Sequence, residues 1–339
     1  MKAVRFHEHG GPEVLRVEEI PEPEPGAGEV RVAVRAVALN RLDVLVRRGL
    51  PIRMEMPHIG GVDFAGVVDA VGPGVASPRV GERVVGYPLL GYGDGPLPAP
   101  GERPDGPARI LGEQVNGACC EALVLPAENV VPLPDGVEDV EAAALPVVFI
   151  TAWEMLVERA ALAPGETLLV QGAGSGVGTA AIQIGKLHGA RVIACTRGEE
   201  KARRARELGA DEALVGDAAT ASRVRRLTGR RGADVVFEHV GAATWQESVS
   251  SAAYRGRIVC CGATTGRSAP LDLTYLFAKE LSIFGVTLGR RENLVRVLEH
   301  VAKGELRGVV DRVLPLESCR EGHELLEAGA PFGKIVLTT

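Results

Sequence analysis

Four glycines fall within eight residues at Gln171-Gly172-Ala173-Gly174-Ser175-Gly176-Val177-Gly178, and their surroundings restrict the fold more than any other feature of the chain. The apolar run Glu166–Gln171 precedes them and reads as a strand. Gly178–His188 follows, with Ala181, Ile182, Ile184 and Leu187 at helical spacing. A glycine turn between a strand and a helix lets backbone approach a ligand closely and points free N–H groups and a positive dipole end at it, the arrangement that holds a dinucleotide pyrophosphate. The run does not match a strict GxGxxG, because Gly172-x-Gly174 is followed by Val177 and Gly174-x-Gly176 by Thr179. The weight of the signal therefore rests on its place between strand and helix.

The alternation continues beyond the turn. Arg191–Cys195, Glu212–Val215, Ala233–Phe237, Arg257–Cys261 and Leu281–Val286 read as strands. Glu199–Leu208, Ala219–Leu227 and Thr244–Ala252 read as helices between them. Strand and helix in turn predict an α/β fold with a doubly wound parallel sheet and right-handed crossovers. The first third differs. Val14–Glu19, Glu29–Ala38, Phe64–Val71 and Arg83–Gly86 are short, Val-rich runs parted by Gly/Pro clusters, which predicts a small β-rich barrel or sandwich. Residues 87–112 are rich in Gly and Pro, and Pro88, Pro96, Pro98, Pro100, Pro104 and Pro107 would stiffen that stretch. Two helices and two short strands are expected after residue 290.

The end of the second strand of the alternating region selects the cofactor. An NAD site usually carries an acid there for the ribose 2′-hydroxyl. Arg191–Cys195 instead runs into Thr196-Arg197-Gly198, and the first acid is Glu199, already in the helix. Arg197 can fork onto a 2′-phosphate with Lys201 one turn further on, so NADPH is the expected cofactor. A net charge of −6 gives no basic surface for nucleic acid, and the Arg-rich runs 203–206 and 223–226 fall in helical patterns beside Glu199, Glu200 and Glu207. No apolar run approaches the length of a bilayer span, and Met1 leads directly into a strand pattern, so a cytoplasmic protein is expected. The six cysteines show no CxxC pair and are expected to be buried, reduced thiols.

Taken in order, several segments resemble the medium-chain dehydrogenase/reductase superfamily. They are Gly11-Pro12-Glu13-Val14-Leu15, Asn40-Arg41-Leu42-Asp43, the segment Pro57 to Gly66, the segment Leu145 to Trp153, the glycine turn and Gly333-Lys334. The resemblance implies a GroES-like β-rich barrel domain over residues 1–148, completed by 290–339, and a Rossmann dinucleotide-binding domain over 149–289. It also implies where zinc would sit: relatives with zinc place ligands at the positions of Asn40, Val62 and near Val147, and none of these is a credible zinc ligand here. No cysteine lies within 87–112, where such relatives carry a second, structural zinc. The chain thus resembles the zinc-free quinone oxidoreductase-like branch, and no metal is expected.

By the same resemblance, Asn40 and Asp43 line the substrate cleft. Asn40 is a hydrogen-bond donor to a substrate carbonyl or else a helix cap. Asp43 orients its neighbours more than it transfers protons. Thr151 contacts the nicotinamide or else caps a helix. Val240, Gly241 and Gly262-Ala263-Thr264, at the carboxyl ends of parallel strands, face the cofactor together with Gly172, Gly174, Ser175, Gly176, Val177 and Gly178. Lys334 reaches the cofactor phosphate or lies on the surface. His58 sits near the vacated zinc position. The expected function is NADPH-dependent reduction of a quinone or an α,β-unsaturated carbonyl. The alternatives are a zinc-free alcohol or aldehyde dehydrogenase, with only His58 and Asp43 as acid/base candidates, and a non-catalytic nucleotide-binding sensor. The expected partners are a small-molecule substrate and a second copy of the chain, paired through the edge strand Leu281–Val286 as in zinc-free members of the family.

Overall fold

The alternation Val30, Val32, Val34 sends every second side chain of Glu29–Ala38 to a buried face, as a half-covered strand requires. In the computed structural model, which describes residues 1–91 and 109–339, this strand is the spine of one of two compact units. Residues 92–108, and the prolines expected to stiffen them, lie outside the described residues. The first unit comprises Met1–Val147 with Leu294–Thr339, the second Val148–Asn293.

In the first unit, Glu29–Ala38 pairs antiparallel with Asp63–Val71, Ala122–Pro126 and the C-terminal strand Lys334–Thr338, which in turn lies parallel to Val310–Pro315. Arg83–Gly86 and Val130–Pro132 extend this sheet, and Lys2–Phe6 lies in a separate small sheet with Arg16–Glu19 and His58–Ile59. The core between them holds Val4, Phe6, Val32, Leu39, Phe64, Val84 and Leu337. The strand expected from Val14 starts later, at Arg16. Pro12–Val14 is a single 3-10 turn instead, where proline's fixed φ and missing N–H suit a first turn.

In the second unit, six parallel strands take the order Glu212–Val215, Arg191–Thr196, Thr167–Val170, Ala233–Glu238, Ala252–Cys260, Ser282–Gly285. Chain order reverses between Thr167–Val170 and Ala233–Glu238, the switch point at which doubly wound sheets open a crevice at their carboxyl ends. Leu168, Leu169, Val170, Val235, Val236 and Phe237 are fully buried, because helices cover both faces of a parallel sheet. The helix after the glycine turn begins at Gly176, two residues before the periodicity predicts, because Ser175 caps it. The helix expected over Thr244–Ala252 ends at Ser251. The next strand begins at Ala252, which pairs with Ala233, and it runs on to Cys260.

All six cysteines are free thiols. Cys119, Cys120, Cys195 and Cys319 are buried, whereas Cys260 and Cys261 are only half-buried, since they lie where the fifth strand leaves the sheet. No described helix is long and apolar enough to cross a membrane. The Arg-rich run 203–206 lies on the helix Glu199–Glu207, where Arg203 pairs with Glu207 one turn away.

Candidate functional site

Two groups of residues stand out, one in each unit. In the second unit the strand Thr167–Val170 delivers the chain into the glycine turn. Ala173 donates to the Cys195 carbonyl at 2.9 Å, which holds the turn against the end of the neighbouring strand. Gly172 has φ +60°, and a Cβ there would lie 2.7 Å from His239 Nε2 and 2.9 Å from Val240 Cγ2, so only glycine fits. Gly178 packs as tightly, since its Cβ would stand 2.7 Å from the Gly172 carbonyl oxygen. Ser175 Oγ accepts the Gly178 N–H at 3.0 Å, an N-cap that leaves the first amides of the helix facing the crevice end.

The loop after Ala233–Glu238 lies beside this turn. His239 Nε2 stands 3.1 Å from Ser175 Oγ and 3.3 Å from the Gly172 oxygen, and burial pushes the imidazole below its ordinary range. The fully buried Glu238 carboxylate collects four donor groups: the N–H of Val240 at 2.7 Å, the N–H of Gly241 at 3.0 Å, Thr244 Oγ1 at 2.9 Å and Ser248 Oγ at 2.5 Å. Thr264 Oγ1 donates to the His239 oxygen at 3.3 Å, and Thr265 N–H to the Val240 oxygen at 2.8 Å. The structure therefore brings together Gly172–Gly178, Val240, Gly241 and Gly262-Ala263-Thr264. Thr196 is buried, with its hydroxyl on the Gly198 oxygen at 3.1 Å. Arg197 is exposed at the turn after that strand, and Lys201 lies on the following helix. Thr151 sits inside the helix Pro146–Trp153, so the helix-cap alternative fails. The residue is 4% exposed, and its buried hydroxyl has no partner among the described residues. A buried hydroxyl without a partner, a tight glycine turn and free helix amides fit a bound dinucleotide.

In the first unit Asn40 precedes the helix Arg41–Arg48 and both caps it and anchors the second group. Asp43 Oδ2 accepts the Asn40 N–H at 2.6 Å and Oδ1 the Gly61 N–H at 3.0 Å. Asp43 thus holds two backbone amides, and burial pushes its carboxyl up to about 6 against the pull of nearby His323. Asn40 Nδ2 donates to the Ala38 oxygen at 3.2 Å and to Asp63 Oδ2 at 2.9 Å, while Oδ1 accepts Lys334 Nζ at 2.6 Å. Both carboxamide hydrogens are engaged, so the expected donation from Asn40 to a substrate carbonyl needs one of these bonds broken. Asp63, fully buried, also pairs with Lys334 at 3.1 Å and accepts the Val147 N–H at 2.9 Å. Lys334 is 3% exposed, which rules out a surface lysine, and its two partners are side chains rather than a site left open for a phosphate. His58 is buried against the Phe6 ring with Nε2 3.2 Å from the Gly112 oxygen, and burial pushes it down. It is a core histidine rather than a poised acid.

Sequence reasoning missed Asp63, Glu238 and His239. A signal existed for each: an acid among Gly60-Gly61-Val62, and Glu-His directly before Val240-Gly241.

A glycine turn at the switch point of a six-stranded parallel sheet, with a β-rich unit built from both ends of the chain, defines a nicotinamide-dependent oxidoreductase. Two family models match, the alcohol dehydrogenase GroES-like domain over residues 26–135 and the zinc-binding dehydrogenase over 176–303. A quinone oxidoreductase of Pseudomonas aeruginosa is 33% identical across 99% of both chains, and an acryloyl-coenzyme A reductase of Metallosphaera sedula 33% across 100% of both. A crystal structure of an NAD-dependent alcohol dehydrogenase shares 46% identity at a TM-score of 0.95 over 100% of both chains. A mycobacterial protein complexed with NADPH shares 30% at a TM-score of 0.85, again over 100% of both. The chain belongs to the medium-chain dehydrogenase/reductase superfamily, with its GroES-like and Rossmann parts. The zinc in one model's description does not fit the residues present. Asn40 is closed by three hydrogen bonds, one of them from an ammonium, and Val62 is fully buried and apolar. Among the described residues no three His, Cys, Asp or Glu side chains stand together to hold a metal.

Proposed function

We propose that the chain is an NADPH-dependent reductase of quinones or α,β-unsaturated carbonyls that works without zinc. The observation that carries this reading is the carboxyl edge of the Rossmann sheet. There the glycine turn is bonded to the end of a strand that continues into Thr196-Arg197-Gly198 with no carboxylate. In this reading the amides of Gly174, Gly176 and Val177, which have no partner among the described residues, hold the pyrophosphate within the Gly172–Gly178 turn, Arg197 and Lys201 take the 2′-phosphate, and Val240, Gly262, Ala263 and Thr264 line the cofactor. Thr151 Oγ1 meets the nicotinamide, and Ser175 acts through the helix cap. When bound, the nicotinamide supplies hydride; the protein supplies position and a shaped, water-poor pocket. An electron-poor double bond suits a site in which Asp43 and His58 are both committed to backbone, since alcohol oxidation asks for a base or a metal. The names of the two relatives support the same substrate class.

The second reading, an NAD-dependent alcohol dehydrogenase, is favoured by the name of the 46%-identical structure. Chelator-treated protein assayed with NADPH and NADH against 1,4-benzoquinone, a simple enone, and an alcohol with NAD separates the two. NADPH-selective reduction, with Arg197→Ala weakening NADPH about tenfold or more and leaving NADH alone, supports the first. Alcohol oxidation with NAD, or activity only on adding zinc, refutes it. In the same reading the chain is a homodimer. Ser282–Gly285 is an edge of its sheet with Ile283 exposed, and such an edge pairs with its own copy across a two-fold axis. A monomer in sedimentation at micromolar concentration overturns that part.

A further inference from the structure

Apart from the Asn40 group, a further set of reactive side chains gathers inside the first unit. Cys319 opens the helix Cys319–Ala328, and Ser318 before it gives no side-chain cap. His323, one turn on, hydrogen-bonds the Cys319 thiol. So does Cys119, which comes from the segment before the strand Ala122–Pro126. Both thiols are free and belong to one core cluster. His323 is buried, and its Nδ1 has no partner among the described residues. Arg47 is fully buried as well, and its charge acts on Cys319. Glu327 holds Arg47 Nη2, while Nε and Nη1 have no partner among the described residues. Buried guanidinium hydrogens without an acceptor are rare and call for an anion nearby.

A thiolate at Cys319 is that anion. The hydrogen bond from Cys119 pulls the Cys319 thiol down, against the push of burial and with the help of His323 and Arg47. The same bond, with burial, holds Cys119 well above the usual thiol range, so the proton of the pair stays on Cys119. The positive end of the helix favours charge at the same place. Cys319 also lines a cavity of about 320 Å3, with Val4, Leu15, Val17, Glu317 and Arg320 around it. At 1% exposure it is closed to bulky reagents, and a molecule of a few atoms has this one way to approach.

We propose that Cys119 and Cys319 are a peroxide-reactive pair: Cys319 takes oxygen from a hydroperoxide that enters the cavity, and Cys119 closes a disulfide that ties the C-terminal helix to the barrel. The Cys319 sulfur attacks one oxygen of hydrogen peroxide. The O–O bond breaks, a sulfenic acid forms, and hydroxide leaves and gains a proton from solvent. The Cys119 sulfur then attacks the sulfenic sulfur, and the hydroxyl leaves with the Cys119 proton as water. Two sulfurs have lost two electrons, and one peroxide has become two waters. Thiols that already share a hydrogen bond close this bond by side-chain rotation, within the narrow geometry a disulfide allows. Exposure alone would direct oxidation to the half-buried Cys260 and Cys261, but burial pushes both of those thiols up, and the Glu238 charge adds to it.

The test treats the reduced full chain with a small molar excess of hydrogen peroxide and digests it without reductant. The expected product is a monomer about 2 Da lighter, in which the peptides of Cys119 and Cys319 are joined and Cys260 and Cys261 stay reduced. In Cys119→Ser, nothing resolves the sulfenic acid, so Cys319 should end about 32 Da heavier as the sulfinic acid. In Cys319→Ser, Cys119 should stay reduced. Thermal unfolding of each reduced variant confirms that it is folded, and where one is not, the parent alone decides. Oxidation first at Cys260 or Cys261, disulfide-linked dimers, or a protein in which Cys119 and Cys319 both stay reduced overturns the proposal. So does oxidation of Cys119 in folded Cys319→Ser at the parent's rate.

Discussion

Replacing Glu238 by Gln tests how the crevice end of the Rossmann sheet is held. The carboxylate is fully buried and has no basic partner among its hydrogen bonds; two backbone amides and two hydroxyls carry it. Glutamine keeps one acceptor oxygen, which can retain Val240 and Gly241. Its NH2 then faces Thr244 and Ser248, both of which donate to the carboxylate. Ser248 already receives the Gln171 amide at 3.2 Å, so it is left with two incoming donors and a hydroxyl hydrogen without an acceptor. Trading charge-assisted bonds for neutral ones loses about 1 kcal/mol per bond over two or three bonds, and relief of carboxylate desolvation returns part of it. The expected destabilisation is about 2 kcal/mol. Glu238→Leu, which orphans four donors at once, should cost more, about 4 kcal/mol. Trp245 opens the helix that Glu238 abuts, so urea unfolding followed by its fluorescence in a Trp153→Phe background reads the affected unit directly. The midpoint should move at constant slope. An E238Q midpoint equal to the parent's would refute the view that this carboxylate organises the loop.

Other outcomes follow from the same contacts. Asp43 rises from its ordinary 3.8 to about 6, so its contribution to stability is fully present below 3.8 and lost as pH climbs through 6, a swing of about 3 kcal/mol. The stability difference between the parent and Asp43→Asn should therefore change by about that much between pH 7 and pH 4, and a difference independent of pH would contradict it. Gly172→Ala forces a left-handed φ on a side chain and drives it into His239 and Val240. Affinity for the nicotinamide dinucleotide should fall by about tenfold or more while the barrel unit's thermal unfolding is unmoved, and unchanged binding titrations would count against the tight turn.

Much of this was legible in the sequence because period and punctuation are local. The strands Glu29–Ala38, Arg83–Gly86 and Glu212–Val215 begin and end where alternation and glycines put them. The helix start at Gly176 was misplaced by two residues because Ser175's cap outweighs the first apolar residue of the periodicity. The site was harder to read. Lys334 follows a glycine near the chain's end, and nothing local says that its ammonium is buried on residues 40 and 63. Asn40 stands out in the sequence as a candidate, but its hydrogens are committed by partners that only folding supplies. Glu238 ends a strand and His239 follows it, so the apolar run before them hides their part, and they gain meaning when the glycine turn packs beside them.

The strand Lys334–Thr338 lies between Glu29–Ala38 and Val310–Pro315 in the barrel sheet. In chain order that strand comes long after the one it joins. The Rossmann segment, whose sheet is complete by Gly285, can fold on emergence, while the barrel waits with an open edge for Lys334–Thr338. Every nascent chain thus passes through a stage with one finished unit and one unclosed. A stop codon before Lys334 would remove that lysine together with the strand that joins Glu29–Ala38 to Val310–Pro315, so such a product loses the Asn40–Asp63 partner and the sheet's closure in the same event.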